Sequence, residues 1–344
     1  MPVNPYALTF GKIPEQMIER VKQRDEILNS FLEKNPSRQA CIITGVRGCG
    51  KTVFMTEITQ KLSKHPDWIA LELNPERNLL EGLAAKMSSR PSLAGIFRNA
   101  HINLSVLGFG VEISGTTPVT DIEYALTKML ESLKNHNKKI LIAIDEISNN
   151  KNTREFIHAF QIFLRQDLPV FLLATGLYDN VYELQNEKSL TFLYRAPKIE
   201  LNPLNINSIA DNYCKNLKVS IEEARKLANL TMGYSFAFQV LGFLYFNNKG
   251  KMDVVLPEYR QYLEEYVYEK IWKELSATDK KVLIAIQKSE SKSIAEIREI
   301  IGYETNQFNP YRMRLIRKGL VNGDTHGYLS FKLPLFADFI KSNT

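Results

Sequence analysis

Eight consecutive residues, Gly45-Val46-Arg47-Gly48-Cys49-Gly50-Lys51-Thr52, have the spacing GxxxxGK[ST]. Each position has a chemical use. The glycines let the backbone curl so that its N–H groups face phosphate oxygens. A helix opening at Lys51 adds the positive end of its dipole. The Lys51 ammonium reaches the β- and γ-phosphates, and the Thr52 hydroxyl coordinates Mg²⁺. Cys49 occupies a variable position as a small filler, and its alkylation should block the loop. The pattern predicts that these eight residues bind a nucleoside triphosphate with Mg²⁺.

A second set of candidates lies downstream. The apolar run 140–144 ends in Asp145-Glu146. Asp145 then projects from the carboxyl end of a strand, where ligands of α/β sheets bind. It is the second candidate metal residue after Thr52, holding Mg²⁺ directly or through water. Glu146 is the candidate base that polarises an attacking water. Thr175 closes the apolar run 170–174, where a small polar residue can sense the γ-phosphate or position the water. Arg195, in Leu193-Tyr194-Arg195-Ala196, fits two roles: charge supplied to a neighbouring subunit's nucleotide, or an ion pair within its own domain.

These residues need a scaffold, and the pattern supplies one. Apolar strands at 40–44, 68–73, 140–144 and 170–174 alternate with helical segments, and runs apolar throughout fit strands buried on both faces. The fold class expected is α/β, a P-loop NTPase parallel sheet with a helical lid and a C-terminal winged-helix domain. A helix is expected near 15–33. Asn74 with Pro75 reads as a helix start, and Thr120 with Glu123 as a capping box. Residues 102–113 alternate around two glycines, as an inserted hairpin or single strand would. After Pro203 the pattern is helical only, with Ser220 and Glu223 opening one helix. From Ser276 the order is helix, helix, helix, strand, strand, with Gly302 ending the second helix. The domains expected are 1–203, an ATPase core with an N-terminal arm; 204–258, a helical lid; and 259–344, a linker helix with the winged-helix domain.

Composition narrows the setting. The 344 residues include three cysteines, too few and too scattered for a disulfide framework or a zinc site. No run of about eighteen apolar residues occurs, and residues 1–11 lack the pattern of a secretory signal. The expectation is a cytoplasmic protein without a membrane partner. Net charge is +6, and residues 305–344 contribute six basic residues against two acidic, +4 of that total. Such an excess permits contact with nucleic acid or with an acidic protein.

The third helix of the C-terminal unit, about 305–318, carries Phe308, Tyr311 and Leu315 on one face. Asn306, Pro310, Met313 and Arg317 lie opposite, flanked by Asn309 and Arg314. Pro310 is expected in the first turn. In a DNA-reading helix, Asn306, Asn309, Arg314 and Arg317 would reach bases or phosphates, while Lys332 and His326 would touch the backbone from the wing. The same surface also suits a protein partner.

With these motifs in chain order, the sequence resembles AAA+-type P-loop ATPases. It is most similar to bacterial ATP-binding proteins of the origin-recognition-like kind. Asn4-Pro5 with Phe10-Gly11, Leu190-Thr191-Phe192-Leu193 before Arg195, and Tyr311-Arg312 to Leu320 carry the narrower likeness. The resemblance implies ATP and Mg²⁺ as ligands, slow or partner-stimulated ATP hydrolysis, and a winged helix controlled by nucleotide. Gly45, Gly50, Lys51 and Thr52 would bind phosphate and metal, Asp145 and Glu146 would form Walker B, Thr175 would be sensor 1, and Arg195 the finger. Duplex DNA, a protein partner or a homo-oligomer are the partners implied. Initiator ATPases place an arginine in the lid, but Gly233-Tyr234-Ser235-Phe236-Ala237-Phe238-Gln239 has none. This departure brings the chain closer to the signalling ATPases called STAND, whose lid often carries a glycine and a proline here. Ser235 stands where that proline would be, so neither pattern is complete. The alternative implied is a STAND-like signalling or regulatory ATPase whose winged helix binds protein.

Overall fold

The structure, a computed structural model, describes residues 3–8, 11, 13–100 and 120–344. The alternating segment 102–113 lies outside the described residues, as do Phe10 and His101. The chain divides into two compact units. One comprises Val21–Thr44 and Lys51–Glu200; the other comprises Met1–Arg20, Gly45–Gly50 and Leu201–Thr344.

The first of these is built on a sheet. Helix α1 (Val21–Leu32) precedes β1 (Ala40–Thr44), α2 (Lys51–Leu62) and β2 (Trp68–Leu73). Next come α3 (Leu79–Ser88), α4 (Pro91–Asn99), α5 (Ile122–Asn135), β3 (Lys139–Ile144), α6 (Lys151–Arg165) and β4 (Val170–Gly176). The unit ends with α7 (Tyr178–Gln185), a 3₁₀ segment (Lys188–Arg195) and β5 (Lys198–Glu200). The strand order is β2-β3-β4-β1-β5, and every pairing is parallel. Ile42, Ile140, Ile142, Ile144, Leu172 and Ala174 are wholly buried, as continuous apolar runs in a parallel sheet require. At the edge, the outward carbonyls of β2 are taken up: Arg90 donates to Ala70 O at 2.7 Å and Lys86 to Glu72 O.

Three helix starts differ from expectation. Helix α1 begins at Val21 rather than near residue 15. Asn74 caps no helix but accepts from the Glu76 N–H in a turn, and Asn78 caps α3 instead. Asp121 rather than Thr120 caps α5, accepting from Tyr124 N at 2.7 Å, because a carboxylate is the stronger acceptor one residue on.

The other unit is helical apart from one small hairpin. It runs through α8 (Ile206–Leu217), α9 (Ile221–Leu230), α10 (Ser235–Asn247), α11 (Met252–Leu263), a π-helical turn (Glu264–Tyr268) and α12 (Glu269–Glu274). It continues with α13 (Ala277–Lys288), α14 (Ile294–Ile301) and α15 (Thr305–Arg317). Strands β6 (Val321–Asn322) and β7 (Ser330–Phe331) pair antiparallel, and α16 (Phe336–Ser342) closes the unit. Its core is rich in aromatics, among them Tyr213, Phe238, Tyr259, Tyr268, Phe308 and Phe336. Ser220 caps α9, and Gly302, at φ +72°, ends α14. Pro310 falls in the second turn of α15, not the first, and the helix continues through it. Among the described residues, no helix is long and apolar enough to cross a membrane.

Candidate nucleotide site

The sheet brings three of the expected residues together. β3 and β4 are neighbours, with Ile144 opposite Ala174, so the residues that follow, Asp145 and Thr175, emerge side by side. β4 also pairs with β1, whose Ile43 stands opposite Thr175. In α2, Thr52 donates its hydroxyl to Asp145 Oδ2 at 2.8 Å. The Thr175 hydroxyl donates to Asp145 Oδ1 and accepts from the Glu146 N–H at 3.1 Å. One carboxylate is thus held at both oxygens by two threonines.

Glu146 has a left-handed backbone, φ +55°, a conformation that costs a non-glycine residue about 1 kcal/mol or more. It is fastened on both sides: its own N–H bonds Thr175 Oγ1, and the next N–H, of Ile147, bonds Thr175 O at 2.8 Å. Its side chain is exposed. Thr175 is fully buried, and its single hydroxyl proton is committed to Asp145. Its hydroxyl therefore lies against the Asp145 carboxylate and beneath the Glu146 N–H. Lys51, the first residue of α2, is buried. Arg195 ends its 3₁₀ segment exposed, with no ion pair among the described residues.

The donor set suits Mg²⁺. Thr52 and Asp145 offer hard oxygens, and Mg²⁺ prefers one or two protein oxygens completed by water and phosphate. Among the described residues, no group of three or more His, Cys, Asp or Glu is arranged to hold an ion alone.

The loop Gly45–Gly50 belongs to the helical unit and is braced within it. Tyr234 Oη donates to Arg47 O at 2.6 Å, Phe236 N to Gly48 O at 3.1 Å, and Ser235 Oγ to Cys49 O at 2.9 Å. Arg20 donates to Cys49 O at 3.2 Å, to Ser235 Oγ at 3.3 Å and to Asn202 O. Arg47 pairs with Glu274 of α12 at 2.9 Å. Gly48 sits at φ +76°, and a Cβ there would lie 2.1 Å from Tyr234 Oη, so only glycine fits. Burial pushes the Tyr234 hydroxyl well above its ordinary pKa, keeping it a donor, and lowers that of the Arg20 guanidinium. The sequence holds no signal for Arg20 or Glu274, and marks Tyr234 and Ser235 only as part of the lid segment, without a role at the loop. The lid segment was legible only as lacking an arginine.

The C-terminal candidates separate into two groups. Asn306, Asn309 and Arg317 are exposed and Lys332 is half-buried. Arg314 differs: it donates to Asp279 Oδ1 at 2.6 Å and 3.0 Å and lies over the Tyr311 ring at 5.1 Å. Asp279 is 1% exposed, so Arg314 serves as counter-charge to a buried acid and is corrected from the DNA-facing set.

Comparison with known proteins matches two segments of the chain. Residues 19–168 match the family described as an ATPase domain predominantly from Archaea. Residues 265–340 match a domain of unknown function (DUF8462). No curated protein matches by sequence. Among solved structures, the Walker-type ATPase of Pyrococcus abyssi aligns with TM-score 0.63 and 15% identity, covering 95% of this chain and 97% of that one. The ORC2 protein of Aeropyrum pernix, in ADPNP–ADP complexes, aligns with TM-score 0.49 and 13% identity over 96% of each chain. The A. pernix ORC1 protein in complex with DNA aligns with TM-score 0.48 and 13% identity, covering 96% of this chain and 94% of that one. The chain has the α/β fold seen in P-loop ATPases, and its residues 19–168 match the ATPase-domain family.

Proposed function

We propose that the protein binds ATP with Mg²⁺, hydrolyses it slowly, and uses the bound state to control a C-terminal winged helix that contacts duplex DNA. The observation that carries the ATPase reading is Asp145 held between the Thr52 and Thr175 hydroxyls, with Glu146 next in the chain. Gly45 to Gly50 cradle the phosphates, and Lys51 follows them directly in the chain to reach the β- and γ-oxygens. Mg²⁺, when bound at Thr52 and Asp145, neutralises charge on the phosphates. Glu146 accepts the proton of the water that attacks the γ-phosphorus, and its exposed carboxylate leaves it accessible for that task. Arg195 supplies charge to the nucleotide of a second copy, a reading supported by its exposure and its lack of an ion pair among the described residues.

Control runs through the loop. The Arg47–Glu274 pair links a phosphate-binding segment to α12, the helix that leads into the C-terminal elements. A nucleotide held by the loop with the Arg47–Glu274 pair formed therefore bears on those elements, and by linkage their ligand bears equally on nucleotide affinity. Asn306, Asn309 and Arg317 on α15, with Lys332 after β7, form the DNA-facing set.

A protein partner is the second reading. It is favoured by two exposed apolar side chains of the C-terminal elements, Met313 on α15 at 40% and Tyr328 before β7 at 49%. Turnover measured with and without duplex DNA, across a salt titration, separates the two. Salt-sensitive binding with stimulated turnover supports the DNA reading. ATP turnover with no DNA effect at any salt favours the protein partner. Lys51→Ala should weaken ATP binding roughly 100-fold, as loss of charged hydrogen bonds implies; affinity within a few-fold of wild type would refute the phosphate role.

A further inference from the structure

Three consecutive carbonyls of the loop meet three consecutive residues at the start of α10. Arg47 O accepts from Tyr234 Oη, Gly48 O from Phe236 N, and Cys49 O from Ser235 Oγ. In a trans peptide the C=O and the following N–H point in opposite directions. Drawing these carbonyls toward α10 therefore turns the N–H groups of Gly48, Cys49 and Gly50 away from it. Cys49 N–H is bent back to Val46 O at 3.2 Å, which tightens the curl. Such a curl of N–H groups is an anion-binding concavity.

Two further contacts fix this arrangement. Arg20 reaches the Cys49 carbonyl, the Ser235 hydroxyl and the Asn202 carbonyl together, so one guanidinium ties the loop to the residues on either side of it. Gly233, at φ +74°, bonds back through its carbonyl to Leu204 N at 2.7 Å, and a Cβ there would lie 2.5 Å from Leu204 O. That close approach sets where Tyr234 and Ser235 enter α10.

We infer that Tyr234, Ser235 and Arg20 are positioning residues for nucleotide binding. They hold the loop carbonyls so that the Gly48 and Gly50 N–H groups already face the β- and γ-phosphates before the nucleotide arrives. The inference rests on the reading that this loop binds ATP. The three residues act through the loop rather than by touching phosphate. A hydroxyl pair and an arginine from the N-terminal arm thereby do preparatory work beside the segment 233–239, which has no arginine of its own. Pre-organisation of this kind raises affinity by removing the ordering cost from the binding step.

The test uses the full chain and titrates Mg-ATP against wild type, Tyr234→Phe, Ser235→Ala and Ser235→Thr, with a melting curve of each nucleotide-free protein. Tyr234→Phe and Ser235→Ala should each weaken Mg-ATP roughly five- to tenfold, the size of one lost hydrogen bond. The loss should fall on KM, with kcat at saturating ATP within about twofold. Ser235→Thr, which keeps the hydroxyl, should bind within about twofold of wild type. Ser235→Ala binding as wild type does would overturn the inference, as would a threonine variant as weak as the alanine one. A lowered melting temperature with unchanged ATP affinity would reduce these residues to structural ones. Wild type that binds no Mg-ATP would instead remove the nucleotide reading itself, and the inference with it.

Discussion

Asp145 and Arg314 are both charged groups held by neighbours, yet the holding means opposite things. Asp145 follows the last residue of a buried strand, and two threonine hydroxyls orient it without neutralising it. In the proposed site that charge serves the cation. Arg314 sits on a helix facing a buried acid, and its charge is spent inside the fold on Asp279. A charged residue advertises function when its partners are neutral, and structure when its partner is an opposite buried charge. Sequence spacing alone does not distinguish the two, because the partner arrives from elsewhere in the chain.

Three measurements would break or sharpen that contrast. Glu146→Gln should have the largest effect. Turnover should fall by roughly 100-fold or more, with Mg-ATP affinity retained, since a general base contributes to the chemical step. Unchanged turnover would remove Glu146 from the mechanism. The next effect divides the two arginines of α15. Arg317→Ala should weaken duplex binding by a few-fold and lower the salt slope by about 1. Arg314→Ala should instead lower the melting temperature by several degrees, because it leaves buried Asp279 to Ser276 and the more distant Lys318. The contrast fails if the two variants lose DNA affinity alike at equal stability.

The smallest effect is a pH dependence. Hydroxyls of Ser291 and Ser289, with backbone N–H groups of Glu290 and Ser291, hold Glu296 down to about 2 from its ordinary 4.5. The folded protein therefore protonates this acid less readily than the unfolded chain does. Its contribution is present above about 4.5 and is lost as pH falls from there toward 2. The melting temperature of wild type should exceed that of Glu296→Gln above about pH 5, and the gap should close on acidification through that window. A gap that stays constant down to pH 2 would deny the network its electrostatic role.

Much of the sheet was legible, and for one reason. A strand buried on both faces must be apolar throughout, so the runs ending at Asp145 and Thr175 announce both the strand and the residue that leaves it. Helix starts were less legible. Asn74 with Pro75 has the composition of a cap but folds as a turn, while Asn78 four residues on does the capping. Local chemistry allows both, and packing of Leu79, Leu80 and Leu83 into the core selects the second. Tyr234 and Ser235 were legible as part of the lid segment but not as partners of the loop. Their partners are backbone carbonyls nearly two hundred residues earlier, and a carbonyl carries no sequence signal. Arg314 was misread for the related reason that Asp279 resembles an ordinary first-turn acid of α13.

The edge of the sheet carries a last consequence. An outer strand with open carbonyls is a template on which a second chain can lay its own strand. Here Arg90 and Lys86 cover Ala70 O and Glu72 O with two long cationic side chains, which stopper hydrogen bonding and repel a like surface at once. Replacing both with short neutral residues would leave β2 ready to grow sheet onto sheet. Such a protein would be lost to aggregation during expression, long before any assay of its chemistry.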